Sequence, residues 1–183
     1  MPASNRTILA QDGFILRKAV INQSGAAAID LDNIFDTGRT IYQIDINNLI
    51  TSDTADISLQ FINSAGSVLT ASNYNSSLVG TEHSNSRANN NVNMGTASII
   101  LKTKSTMAAN AQLLIFNPAS TSLRTKGLIL AANYEGSTGM AFGSGGFEYN
   151  ATDGIRGIRL NTSAGTFSDG DVSCSVLATE SAG

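Results

Sequence analysis

The sequence predicts an all-β fold: an antiparallel β-sandwich of jelly-roll type, with about eight strands and an N-terminal arm. Three observations predict it. Apolar and polar residues alternate with a period of two in several separate stretches. Clusters of Gly, Asn, Ser and Asp punctuate those stretches at short intervals. Charged helix formers are scarce: only 14% of the 183 residues are Asp, Glu, Lys or Arg, against about a quarter in an average soluble protein.

Met1–Gln11 carries little apolar periodicity and reads as the arm, leaving 12–183 as the sandwich domain. Phe14–Ile21 is the first strand, bounded by Gly13 and by Ser24-Gly25. Asp30-Leu31-Asp32-Asn33-Ile34-Phe35-Asp36 reads as a polar turn entering the next strand. In Thr40–Asn47, Tyr42, Ile44 and Ile46 alternate with Gln43, Asp45 and Asn47. Ile57, Leu59 and Phe61 alternate in Ile57–Asn63. Asn63-Ser64-Ala65-Gly66 then turns the chain into Ser67–Thr70, making a hairpin.

Ser72–Gly95 is long, polar and Asn-rich, and reads as one or two exposed loops. Thr96–Thr103 is apolar at Ile99-Ile100-Leu101. Ala111–Phe116 is an apolar run stopped by Asn117-Pro118, because proline cannot continue a central strand. Thr125–Tyr134 follows. Gly139–Phe147 is rich enough in glycine to be either a tightly packed strand or a loop. Gly157–Asn161 and Asp171–Leu177 close the chain around the turn 163–170. The pattern places Tyr42, Ile44, Ile46, Leu59, Phe61, Leu114, Phe116, Ile158, Leu160, Val172, Cys174 and Val176 in the core.

Composition excludes several functions. A net charge of −3 and eleven thinly spread Lys and Arg leave no basic patch for nucleic acid. No apolar run approaches the roughly 18 residues of a membrane-spanning helix. Met1–Leu16 lacks the basic and apolar regions of a secretory signal, so none is expected. One cysteine, Cys174, makes no internal disulfide framework and no cysteine-rich zinc site.

Candidate chemistry is sparse. Asp30, Asp32 and Asp36 lack the Gly and Glu of a calcium-binding loop, and Asp169-Gly170 reads as a hairpin turn. His83, the single histidine, has no nucleophile motif beside it. The glycine-rich stretch 136–146 has neither a phosphate-loop lysine nor a dinucleotide fingerprint. The residues therefore predict no enzyme, no catalytic residue, no cofactor and no metal. Of the four tyrosines, Tyr42 alternates with core residues. Tyr74, Tyr134 and Tyr149 are the candidates for stacking against sugar.

Two segments carry a family resemblance: AQLLIFNPASTS at 111–122 and GIRGIRLNTSAGTFSDGDVSCSVLA at 154–178. The chain resembles the small β-sandwich virion structural proteins of tailed bacteriophages, marine phages especially. That family shows an apolar strand ending in F-N-P-x-S-x-T, an isoleucine-rich strand, a segment like S-S-G-T-F-S-S-G and a final strand. Phe14–Ile21, Phe35-Asp36-Thr37 and the strand through Tyr42 also fit, so the similarity spans about 160 residues, with 72–110 the weakest stretch. The family's L-Y-G-I-like ending is replaced here by VSCSVLA.

The resemblance implies a virion protein assembled in the host cytoplasm, and it brings no catalytic residue. Size favours a capsid decoration protein on the head: a homotrimer bound to the major capsid protein, with Ile8 and Leu9 anchoring the arm. The alternative is a tail-fibre or receptor-binding module that touches a host glycan through Tyr74, Tyr134 and the Asn-rich segment.

Overall fold

The computed structural model describes residues 15–20, 24–37, 39–82, 88–105, 108–135 and 139–179, with side chains described over 24–37, 41–80, 94–101, 108–132 and 143–177. The described residues form twelve strands and no helix. In chain order they are β1 (Ile15–Val20), β2 (Ala28–Leu31), β3 (Arg39–Thr51), β4 (Ala55–Asn63), β5 (Tyr74–Glu82) and β6 (Ala88–Thr96). Then come β7 (Ile99–Ser105), β8 (Ala109–Phe116), β9 (Lys126–Glu135), β10 (Gly139–Tyr149), β11 (Ile155–Thr162) and β12 (Phe167–Thr179).

They build two antiparallel sheets. The larger has the order β1-β12-β3-β8-β9-β10-β5-β6, and the smaller the order β2-β11-β4-β7. The pairings nest. β5 pairs with β6, β4 with β7 and β3 with β8, while β1 pairs with β12 and β2 with β11. Nested pairing is what a long antiparallel ribbon gives when it is rolled into two layers, and the expected all-β sandwich of jelly-roll type is what the chain forms.

Period-2 patterning builds the interface between the layers. Tyr42, Ile44 and Ile46 of β3 and Val172, Cys174 and Val176 of β12 face inward from the large sheet. Ile57, Leu59 and Phe61 of β4 and Ile158 and Leu160 of β11 meet them from the small one. All of these are buried, as their alternation predicts.

Several expectations change, and one open between two readings resolves. β8 turns its other face inward: Leu113 and Ile115 are fully buried, whereas Leu114 and Phe116 are only half-buried and lie on the outer face. Ala111–Phe116 offers apolar residues on both faces, so alternation could not choose between them. The segment 72–95, expected as loops, contains β5 and most of β6. Gly139–Phe147, left open between strand and loop, is β10. The Asp-rich segment includes the short strand β2. About eight strands thus become twelve: Ser and Asn conceal β5 and β6, glycine leaves β10 ambiguous, and β2 is four residues long with an Asp inside it.

Local chemistry closes the connections. Asn63 Oδ1 accepts from the N–H groups of Ala65 and Ser67, which fixes the turn after β4. Asn117 takes a left-handed φ of 51° and ends β8 before Pro118. Asp169-Gly170 is not a hairpin turn but an irregularity within β12, where the pairing to β3 shifts register. Gly170 has φ 120°, and a Cβ there would lie 2.5 Å from Leu49 Cα, so only glycine fits.

Candidate interaction surface

The smaller sheet covers the inner face of the larger one. The outer face of the larger sheet carries an apolar patch, and strand register fixes its layout. In one row, Gln43 on β3, Leu114 on β8, Leu128 on β9, Gly146 on β10 and Ser77 on β5 stand opposite one another. The next row holds Asp45, Gln112, Leu130, Ser144 and Val79. On the other side stand Ile41, Phe116, Lys126, Glu148 and Asn75.

Leu128, Leu130 and Val79 are 52%, 61% and 52% exposed, and Met94 on the neighbouring β6 is 74% exposed. These are large apolar side chains left in water, beside the half-buried Leu114 and Phe116. Gly146 and its neighbours on β10 give the patch relief. With no side chain at Gly146, the surface dips beside Leu128 into a depression of about 580 Å³ lined by Phe116, Lys126, Gly146 and Met94. A second depression of about 440 Å³ lies between Leu114, Leu128, Leu130 and Ser144. Leucine knobs therefore stand next to glycine-floored hollows.

The patch is bounded by opposite charges. At one corner Gln43 Nε2 donates to both carboxylate oxygens of Asp45 at 2.9 Å, and Gln112 Nε2 donates to Oδ1 at 3.1 Å. The two amides hold the acid in place without neutralising it. At the opposite corner Glu148 lies 3.4 Å from Arg124 and 3.9 Å from Lys126. Lys126 is 66% exposed, so its ammonium retains free reach. This surface can bind an apolar, shape-matched protein face. Nothing in it arranges a nucleophile beside a base.

Among the candidate site residues from the sequence, those whose side chains the structure describes lie elsewhere. Tyr74 is a correction: it is fully buried and offers no platform to a glycan. Its hydroxyl donates to the Leu69 carbonyl at 2.8 Å and accepts from the Phe61 N–H at 2.9 Å, pinning the return segment onto β4. Burial raises its hydroxyl pKa far above the usual tyrosine range. Tyr149 is also buried, packs on Tyr74 with ring centroids 4.9 Å apart, and donates to Asp153 Oδ2 at 3.0 Å. Burial raises its pKa too. Tyr134 belongs to β9, but its side chain is outside the described residues, as are Ile8, Leu9, the whole of Met1–Gln11 and His83.

Asp30 and Asp32 are structural. Arg159 donates to both oxygens of Asp30 at 2.6 Å, and Arg156 forms the same bidentate pair with Asp32, clamping β11 to β2 and the residue that follows it. These bonds raise the pKa of each guanidinium. Among the described residues no three potential ligands gather as a metal site would need. Cys174 is buried among the core residues where its alternation placed it.

Sequence reasoning missed the outer patch although a signal was present. Leu113-Leu114-Ile115-Phe116 and Leu128-Ile129-Leu130 are consecutive apolar runs. In an antiparallel sheet with one covered face, such a run leaves apolar side chains on the other.

No protein-family model matches the chain, and no curated protein sequence matches it. Among solved structures it is similar to the galectin LEC-6 of Caenorhabditis elegans, with 10% identity and a TM-score of 0.35 over 87% of this chain and 95% of that one. It is also similar to a human SPRY domain, with 12% identity and a TM-score of 0.34 over 98% of this chain and 100% of that one. Likeness at these scores carries neither a ligand nor a function across.

Proposed function

We propose that this chain is a virion structural protein of a tailed bacteriophage, and that it serves as a decoration protein on the capsid head. The observation that carries the proposal is the exposed apolar face around Leu114, Leu128 and Leu130 on a chain poor in charge, with 14% of its residues Asp, Glu, Lys or Arg. Such a face is costly in water and is relieved by contact with protein. The work assigned to the domain is therefore adhesion, with no reaction.

The family resemblance supports the same reading. Its two segments meet at one end of the sandwich, where the Ile155 N–H donates to the Pro118 carbonyl at 3.0 Å. The F-N-P stop and the isoleucine-rich strand thus form one joint. Residues held by each other in this way are the ones a shared fold would keep. The tail-fibre reading has less support, since the buried Tyr74 is withdrawn as a sugar contact.

Imaging of intact virions tests the proposal. Density for this sandwich on the head lattice is the expected result. Density on the tail selects the receptor-binding alternative, and absence from purified particles removes both.

A further inference from the structure

We propose that the outer face of the eight-stranded sheet is an isologous docking surface for a second copy of this chain, formed about a two-fold axis through Leu114. The inference does not depend on the virion reading, and it gives the face to contacts between copies of this chain rather than to contact with the capsid shell. It rests on the register of the face and on the placement of its charges.

Asp45 and Lys126 sit two strands apart and two same-face positions apart along the strands. With strands about 4.8 Å apart and same-face residues about 6.8 Å apart, the midpoint between them is Leu114. A two-fold axis lying in the plane of the face, through Leu114 and perpendicular to the Asp45–Lys126 line, exchanges these two residues between copies. Each Asp45 then meets Lys126 of the second copy, twice per dimer, in a cluster where Lys126 and Arg124 outnumber the single carboxylate of Glu148. Leu114 packs on its own mate.

The same axis matches shape. It runs between Leu128 and Leu130, and so carries Leu130 of the second copy past Leu128 toward the dip at Gly146. The most exposed leucine on the face thus enters its glycine-floored hollow. The strands of the two copies cross at roughly 70°, in the steep class of sheet packing.

Five strands by three rows cover roughly 500 Å² per copy, or about 1,000 Å² in total, the lower end of specific interfaces. The contact is therefore weak and concentration-dependent, with a dissociation constant at or above about the micromolar range.

Sedimentation equilibrium of the full chain tests the proposal. The expected result is a monomer–dimer equilibrium. Leu130→Asp, at a position already 61% exposed, should raise the dissociation constant at least ~10-fold while leaving the thermal unfolding of the monomer intact. Asp45→Lys and Lys126→Asp should each weaken the dimer, and the double variant should regain most of the loss, because the symmetry rebuilds both contacts with reversed sign.

A chain that stays monomeric up to ~1 mM overturns the proposal, since at that concentration even a small specific interface associates, and leaves the face to a foreign protein. A trimer overturns it, because a two-fold contact closes at two copies. Failure of the charge-reversal pair to restore association rejects the proposed axis.

Discussion

The ring of Phe147 lies directly over the α-carbon of Gly127, across the β9–β10 pairing, so that a β-carbon on Gly127 would sit 2.2 Å from the ring's Cζ. The same β-carbon would lie 2.4 Å from the Leu114 carbonyl oxygen. A shift of the ring repacks it within the core, where Phe61 is a neighbour at a centroid distance of 6.2 Å, and the carbonyl is held by the sheet.

Gly127→Ala should therefore destabilise the sandwich by about 1–3 kcal/mol or more, as overpacking of a tight core does. Gly143→Ala is the control. Its β-carbon would meet only the Val79 carbonyl at 3.8 Å, and the change should be neutral or stabilising by about 0.4–1 kcal/mol. Urea unfolding of both variants measures the difference, and equal costs would show that the ring is not seated on Gly127.

Leu113 and Leu114 are adjacent and chemically identical, yet they face opposite sides of the large sheet. Leu113→Ala should cost about 2–5 kcal/mol, because its side chain is fully buried between the layers. Leu114→Ala should cost far less in the monomer and should weaken self-association instead. The reverse order of the two unfolding energies would mean that β8 is registered one residue off.

This pair also shows what the sequence could reveal. β3 and β12 alternate over Tyr42–Ile46 and Val172–Val176, and β4 over Ile57–Phe61, so period and face are both readable from Tyr42-Gln43-Ile44 and Val172-Ser173-Cys174. β8 and β9 carry apolar residues on both faces, which left the strands legible but hid the choice of face. β5 and β6 were illegible because much of their sequence is Ser and Asn, including the buried Ser76. The joint candidate site was invisible for a further reason. It combines residues from β3, β8, β9, β10 and β5, and only long-range register brings them into rows.

Tyr74 joins β5 to β4 and to the turn beyond it through one hydroxyl. Tyr74→Phe leaves the Phe61 N–H and the Leu69 carbonyl without that partner, and should cost about 1–3 kcal/mol. The pH dependence has a definite sign. The folded-state pKa is raised above the unfolded value of about 10, so the stabilisation is complete below pH 10 and is lost as pH rises toward the folded pKa. Above pH 10 this one group contributes a fall of about 1.4 kcal/mol per pH unit. Urea midpoints measured from pH 9 to 11 should fall more steeply for the native chain than for Tyr74→Phe. Parallel curves would show that the hydroxyl titrates freely in the folded state.

Cys174 should be silent in the folded protein. It lies on the inner face of β12, directly opposite Ile44, between the positions of Val172 and Val176, and has no exposed surface. A thiol reagent must reach the sulfur, and burial between the layers denies it access. β12 is also a central strand, paired on one side with β1 and on the other with β3, so exposing the thiol means parting the sandwich. Labelling by a small disulfide reagent should therefore be undetectable on mixing. It should proceed at a rate that tracks the opening of the core, and that rises with urea in parallel with the unfolding equilibrium. Leu113→Ala, which loosens the same layer, should speed labelling in proportion to its loss of stability. Rapid stoichiometric labelling of the native chain would contradict the burial of β12.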